Sequence, residues 1–419
     1  MKRVALICSE PIREHMAGIG VRYLEFARRL PACGVDVVLV TAGDPADVPE
    51  LPDNGATVRP LRARSVRRDL ADCDAAVVQG GLADHVVRQV GELPVAVDLY
   101  DPWLIENLHY YEDLGSVPFR RDHASWSLQL ARGDYFLCSS QQQRCFYLGW
   151  LTAAGRLSPR LLAADPALES LIGVVPFGVP DDLPEHRPVL WRREPGERRI
   201  LFGGLYDWLD PWPVLEALQQ LDRPSWKLVF VGNPNPDTTP QRLWGEVESW
   251  CRQRGWWGTR VRAIDWVAAD RRFDLFRDAD ALVVSHRDGP ETWLSLRTRA
   301  LDAVAAGCPV IVSDGGATAE LLRRHQVGTA VPPGDAAAMA RALQDVLEPG
   351  EGMATRRKAA EELVEAMSWP RVLEPLARFC RAPWRHSTRQ PVETGGVSER
   401  LRVLWRAVRS PVRPVSGRS

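Results

Sequence analysis

Glu291, Arg297, Arg299 and Asp302 crowd one short stretch of the chain, and their side chains suit a single kind of ligand. Two guanidinium forks are permanent cations whose planar donors match phosphate oxygens, and the two carboxylates are acceptors for sugar hydroxyls. The flanking residues say how they are held. A polar loop, Asp288-Gly289-Pro290, leads into a helix with apolar positions at Leu294, Leu301 and Val304, which stops at Gly307. A buried strand, Pro309–Ser313, and a Gly315-Gly316 turn into another helix follow. A helix that starts beside the end of a strand offers unpaired backbone N–H groups and a positive dipole end, both suited to an anion. Together these features describe a nucleotide-sugar site.

The stretch also resembles the donor segment of GT-B glycosyltransferases, family 4 in particular. That family carries a Glu, seven residues and a second Glu ahead of an Ala-x-Ala-x-Gly-x-Pro-Val run. Leu301-Asp302-Ala303-Val304-Ala305-Ala306-Gly307-Cys308-Pro309-Val310-Ile311 is similar to the end of this signature. Asp302 stands in place of the second Glu, and Glu291 is taken as the first, displaced by a three-residue insertion around Ser295–Thr298. The resemblance implies that Glu291 contacts the donor sugar and Asp302 the ribose. Gly203-Gly204-Leu205-Tyr206-Asp207-Trp208-Leu209-Asp210-Pro211 sits where the family usually has Gly-Arg and then Lys-Gly to grip the diphosphate. Neither basic residue is present, so Arg297 and Arg299 are expected to substitute, with Gly203 and Gly204 giving backbone contact. Trp266-Val267 resembles the segment that lies against the base, with Val267 as the contact.

Three further groups carry chemistry at lower specificity. Gly18-Ile19-Gly20 follows the first strand and opens a helix, where a backbone can approach a ligand closely. It does not match the dinucleotide fingerprint, since the third glycine position is Tyr23. In GT-B enzymes a comparable loop lines the cleft near the donor phosphate, which implies donor contacts at Gly18 and Gly20. Asp98 and Asp101 lie at the end of a strand, where either could orient an acceptor hydroxyl or act only as turn residues; Asp101 is carried forward as a catalytic candidate with Glu291 and Arg299. Asp72-Cys73-Asp74 and Asp278-Ala279-Asp280 precede their strands, away from the expected site, so no metal role is assigned to them.

Composition sets the outer bounds. A chain of 419 residues is long for one core and suggests two domains. Its net charge of −1 supplies no field for nucleic acid. Lysine occurs only at positions 2, 227 and 358, and no Gly-Lys-Ser/Thr loop exists, so any phosphate clamp must use arginine or backbone amides. The eight cysteines are scattered with no C-x-x-C pair, as reduced thiols of a cytosolic protein would be. A strand begins at once, with no apolar leader ahead of it and no spanning run of about 18 residues anywhere.

Strand-like apolar runs alternate with amphipathic stretches throughout, a pattern for parallel sheets with helical crossovers. The expected fold is α/β: two Rossmann-like domains facing a cleft. An acceptor domain spans 1–180, a proline-rich linker 181–197, and a donor domain 198–368. A helix over 369–384 packs back on the first domain. A basic tail covers 385–419, with eight arginines against two glutamates. Within it, 398–410 has the pattern of an interfacial helix suited to anionic lipid, of a helix docked on the protein, or of a disordered tail.

The resemblance implies a metal-independent hexosyltransferase. It would move sugar from a nucleoside-diphosphate sugar, a substrate and not a cofactor, to a hydroxyl of a glycan, lipid-linked or small-molecule acceptor, with retention. The setting would be bacterial glycan, glycolipid or natural-product glycosylation, in the cytoplasm or at the inner membrane face. A nucleotide-sugar epimerase of the same fold and a non-catalytic sugar-nucleotide binder are the alternatives.

Overall fold

The computed structural model describes residues 1–52, 56–62, 66–233, 242–348 and 353–390. Two wholly parallel sheets organise it. The first has seven strands in the order β3-β2-β1-β4-β5-β6-β7: β1 (Lys2–Ile7), β2 (Val35–Thr41), β3 (Ala56–Pro60), β4 (Ala75–Gln79), β5 (Val95–Asp98), β6 (Tyr135–Cys138) and β7 (Ile172–Val174). The second has six, β10-β9-β8-β11-β12-β13: β8 (Arg198–Gly203), β9 (Trp226–Val231), β10 (Val261–Ile264), β11 (Ala281–Val284), β12 (Val310–Ser313) and β13 (Gly328–Val331). The central strands are apolar on both faces, as a sheet covered by helices on each side requires. β3 and β7 escape the sequence reading because one is half-polar and the other only three residues long.

In each sheet the chain winds outward one way from a central strand and then the other, leaving a crevice between β1 and β4 and another between β8 and β11. Ligands of open α/β sheets bind at such switch points, outside the C-terminal ends of the strands. The residues that follow β1 and β8 are Cys8–Gly20 and Gly204–Pro211, so the topology alone brings both glycine segments to these crevices.

The aspartates ahead of β4 and β11 have structural work. Asp74 accepts from the Arg3 amide at 2.8 Å and from Lys2 Nζ at 2.7 Å, stitching the start of β4 to β1. Asp280 does the same for Arg199 at 2.8 Å, and Asp278 takes the amides of Val189 and Leu190, fixing the segment that joins the sheets. Among the described residues no group of three or more His, Cys, Asp or Glu is arranged to hold a metal ion, and all eight cysteines are free thiols.

After the second sheet the chain returns to the first. Val179 N donates to Met367 O at 2.9 Å and Trp369 N to Val179 O at 3.1 Å, so the outgoing and returning strands of chain run side by side. Trp369 is fully buried, its ring 5.1 Å from Phe177 and 6.1 Å from Phe26. The Glu374–Arg381 helix follows, with Phe379 stacked on Tyr135 at 5.5 Å. Residues 385–390, read from sequence as the start of the basic tail, instead dock on the first sheet: Arg389 pairs with buried Asp134 at 2.7 Å, and His386 N donates to the same carboxylate. The 398–410 segment lies outside the described residues. No helix among them is long and apolar enough to cross a membrane.

Trp369→Ala should therefore weaken the first domain, although the residue follows the second in sequence. The expected cost is about 3–5 kcal/mol, the usual range for truncating a buried aromatic. Urea unfolding followed through the near-ultraviolet signal should show a lower midpoint for the first domain, with the second unmoved.

Candidate active site

The helix expected to run from the Asp288 loop to Gly307 is broken in two, Pro290–Leu294 and Thr298–Ala305, with Ser295, Leu296 and Arg297 extended between them. The break falls where the extra residues were placed by sequence. One hydroxyl holds two of its backbone groups. Thr318 Oγ1 accepts from Arg297 N at 2.9 Å and donates to Ser295 O at 3.1 Å, doing for the gap what a helical turn would have done. Gly316 lies so close to the Thr292 carbonyl that no side chain fits there. The break turns Arg297 back onto Glu291, whose carboxylate receives both its Nη2 and the Ser295 hydroxyl, the latter at 2.9 Å.

Arg299 is placed differently. Its Nη1 donates to Phe202 O at 3.2 Å, and it makes no ion pair among the described residues. It lies across Gly203, where φ is +87° and an added Cβ would come within 2.6 Å of the guanidinium. Burial, then the neighbouring Arg297 charge, pull its pKa down, yet a guanidinium stays protonated. A cation sunk at a switch point without a carboxylate is an anion site in waiting.

Gly18 faces this point from the first domain, its Cβ position 3.8 Å from the Thr298 side chain. Gly20 does not offer its amide to the cleft: Glu10 accepts from Gly20 N at 2.8 Å and Ala17 N at 2.7 Å, an internal carboxylate on the helix N-terminus. The same loop crosses to the other side, where Ala269 N donates to Glu14 O at 3.0 Å beside the half-buried Val267. Asp302 sits deep against the Thr298 turn with Oδ2 held by Arg272 Nε at 3.1 Å, while its buried Oδ1 has no partner. Burial raises its pKa, and Arg272 opposes the rise.

Asp98 and Asp101 part company. Asp98 is buried in a two-point ion pair with fully buried Arg22, at 2.8 and 3.2 Å, and the same guanidinium bonds the carbonyls of Val175 and Pro176 at 2.9 Å each. It is a structural brace, not an acceptor-handling group. Asp101 opens instead on a cavity of about 620 Å³ that reaches across the cleft to Tyr206 and Trp208. Glu106, one helical stretch on, lines the same cavity as Asp101, and the two carboxyls influence each other's ionisation. Burial pushes Asp101 up to about 6, the Glu106 bond opposes this, and the Glu291 charge adds to it. Glu106 is raised well above the ordinary range by burial, then by Asp101 and Glu291.

The sequence reading missed Glu106, Glu10, Arg22 and His286. Arg22 had a signal, since it falls four residues from Phe26 on a helix face that is otherwise buried. His286 had none. It is buried beside Arg297 and Ser313, and burial, then Arg297 and Arg299, hold it neutral, with Nε2 unpartnered.

The Asp101–Glu106 pair makes stability depend on pH. Each carboxyl keeps its proton to higher pH in the folded chain, so the fold loses relative stability as pH rises from about 4, where unfolded carboxyls ionise, through the Asp101 value near 6. Glu106→Gln should melt a few degrees above the parent at pH 8, and the two curves should converge as pH falls towards 4.

Comparison with known proteins fits this geometry. Residues 199–349 match the family described as glycosyl transferases group 1. The D-inositol 3-phosphate glycosyltransferase of Jonesia denitrificans is 24% identical over 88% of this chain and 93% of the relative. Sucrose-phosphate synthase from Thermosynechococcus elongatus superposes with a TM-score of 0.64 at 20% identity, covering 91% of this chain and 98% of that one. HepE of Anabaena, solved with UDP-glucose, gives 0.65 at 15% identity over 91% and 100% of the two chains. The chain has the GT-B fold of these solved structures, and residues 199–349 of its second domain match the group 1 glycosyl transferases.

Proposed function

We propose that the protein transfers a sugar from a nucleoside-diphosphate sugar, bound on the second domain, to an acceptor hydroxyl presented from the cavity beside Asp101. The observation that carries this is Arg299: a buried cation without a carboxylate, crossing a glycine that only a small residue can fill, at the switch point of the donor domain. In this reading Arg299 receives the diphosphate. Catalysis is the stabilisation of charge as that diphosphate departs, the term that preorganised donors serve best.

The other residues divide by their partners. Glu291 and Arg297 act as one neutral unit, Arg297 positioning the carboxylate that takes the donor sugar's hydroxyls. Asp302 presents its unpartnered Oδ1 to the ribose while Arg272 holds its other oxygen. Val267 and the backbone around it lie against the base, and Gly18, Gly203 and Gly204 line the phosphate path. Gly20 helps only through the Glu10 brace that shapes the loop.

Support for a nucleoside-diphosphate donor comes from HepE, whose structure holds UDP-glucose. Transfer with retention, by departure of the diphosphate on the face the acceptor approaches, suits a site where the acceptor cavity reaches Tyr206, just beyond the Gly203-Gly204 turn under Arg299. The acceptor in the Jonesia enzyme's name carries a phosphate.

Calorimetric titration with UDP, GDP and dTDP should give measurable binding of one of them, abolished in Arg299→Ala. Turnover in that variant should fall about 10²–10³-fold, as on removing other charge-stabilising donors. Absence of binding by all three would sink the arginine site. The anomeric proton coupling of the product, read by NMR, decides retention.

A further inference from the structure

The acceptor cavity has an unusual charge account, and that account says what belongs in it. Its wall on the first domain carries Asp101 and Glu106, and aromatic rings cover much of the remainder: Trp103 and Tyr110 from the same domain, Tyr206 and Trp208 from across the cleft. Tyr206 and Trp208 stack at 4.9 Å with an interplanar angle of 4°, and Tyr110 meets Trp208 edge-on at 5.8 Å, so the rings form one continuous surface.

Among the described residues, the charged groups that face the carboxyl pair can be placed. Glu291 is offset by Arg297, to which it is bonded. Asp98, behind the pair, is offset by Arg22. His109, with Arg287 and Asp207 near it, is half-buried and held towards neutrality first by that burial. The cation of the lining is Arg121, whose side chain is 80% exposed and stands 3.7 Å from its own counter-charge, Asp122. Asp101 and Glu106 are therefore left to each other. Two carboxyls on one cavity wall, with no cation bonded to either among the described residues, favour keeping one proton between them, because neighbouring carboxylates disfavour each other's ionisation.

We propose that this cavity takes an acceptor bearing an ammonium group beside its hydroxyls, an amino sugar or aminocyclitol, and turns away phosphorylated acceptors. The aromatic surface covers the acceptor's ring faces and attracts its cation. Asp101 and Glu106 accept from the ammonium, and the proton they shared leaves to solvent. The charge balances: one ammonium enters, one proton departs, and both carboxylates are then satisfied by the bound cation. A phosphate entering the same place would meet this pair with no unpaired cation among the described residues of the lining to receive it. The proposal rests on reading the cleft as a transferase site and narrows the acceptor class for it.

The test uses three pairs of rings that differ in charge: neamine, with ammonium groups; cellobiose, with hydroxyls alone; and trehalose 6-phosphate. Each is titrated into the full chain by calorimetry at pH 7, with and without UDP, in two buffers of different ionisation enthalpy. Neamine should bind about tenfold or more tighter than cellobiose, the worth of a charged hydrogen bond, and tighter again than trehalose 6-phosphate. It should also release about one proton, visible as a buffer-dependent heat. Glu106→Gln should lose both the preference and the proton release; Asp101→Asn serves if that variant does not fold, with melting curves to show which does. Neamine no tighter than cellobiose, or trehalose 6-phosphate as tight as neamine, would overturn the proposal. UDP binding in the same experiments separates the two ideas. If UDP binds and the neamine preference is missing, this inference alone fails; if UDP does not bind, the donor reading fails independently of the acceptor result.

Discussion

The site depends on a helix that is interrupted by three residues. An unbroken helix from Pro290 to Ala305 would carry Arg297 and Arg299 on different faces, with Glu291 a turn and a half below. The break at Ser295–Arg297 bends the chain so that Arg297 meets Glu291 while Arg299 reaches the other way, over Gly203. Broken helices leave backbone groups without partners, and a buried orphan costs roughly as much as a lost hydrogen bond. Thr318 removes that cost with one hydroxyl that both donates and accepts, and the close approach of Gly316 to the Thr292 carbonyl lets the next helix come near enough to deliver it. Four residue types at four positions therefore separate two neighbouring arginines into one neutralised cation and one that is not.

The first domain solves a related problem with the opposite sign. Its helix N-terminus at Gly18, a natural anion site, is covered by the chain's own Glu10, which bonds two of its amides. Arg22, one turn on, is sealed between the rings of Phe26 and Tyr100 and the Asp98 carboxylate, at 4.6 and 4.5 Å from the ring centres. The charges of this domain are thus consumed internally until the chain reaches Asp101 and Glu106. The second domain carries a cation without a partner and the first a pair of acids without one. The cleft between them is polarised, positive on the donor side and negative on the acceptor side. In the proposed transfer, that polarity would hold a departing diphosphate and an incoming acceptor on opposite sides.

Much of this fold was legible in sequence because parallel sheets announce themselves. Runs such as Val4–Ile7 and Ala281–Val284 are apolar on both faces, and they recur between amphipathic stretches. The grouping of Glu291, Arg297, Arg299 and Asp302 was legible for a related reason: they are close in sequence, so one segment carries them all. What was not legible is everything made by distant contact. Asp98 and Asp101 are three residues apart and look alike in a string. Only the approach of Arg22, 76 residues earlier, decides which of them is a brace. Glu106 shows no motif, since its significance comes from facing Asp101 near Glu291, a residue of the other sheet. The helix break was visible as an insertion but not as a break, because the Thr318 hydroxyl that stabilises it lies 21 residues ahead of Arg297.

How the two sheets are tied together bears on how the polarised cleft could be filled. Across the cleft the bonds are few and local: Glu14 O with Ala269 N, the Tyr100 hydroxyl with Leu296 O at 3.3 Å, and Gln142 with Glu320. At the far side the covalent chain crosses twice at one place, where Val179 and the Met367–Trp369 segment exchange backbone bonds around a fully buried indole. Two crossings of the covalent chain at one place make the Val179 and Trp369 segments the natural pivot for any opening of the cleft. Such a turn would part Gly18 from Thr298 and Tyr110 from Trp208 together, since both contacts lie on the cleft side of that axis. Donor pocket and acceptor cavity would then open and close as one, with Tyr206 and Trp208 carried away from the Asp101–Glu106 wall. Closure would re-form the aromatic surface only when the second domain has returned, so under the proposed assignment a complete acceptor site would depend on the position of the domain that binds the donor.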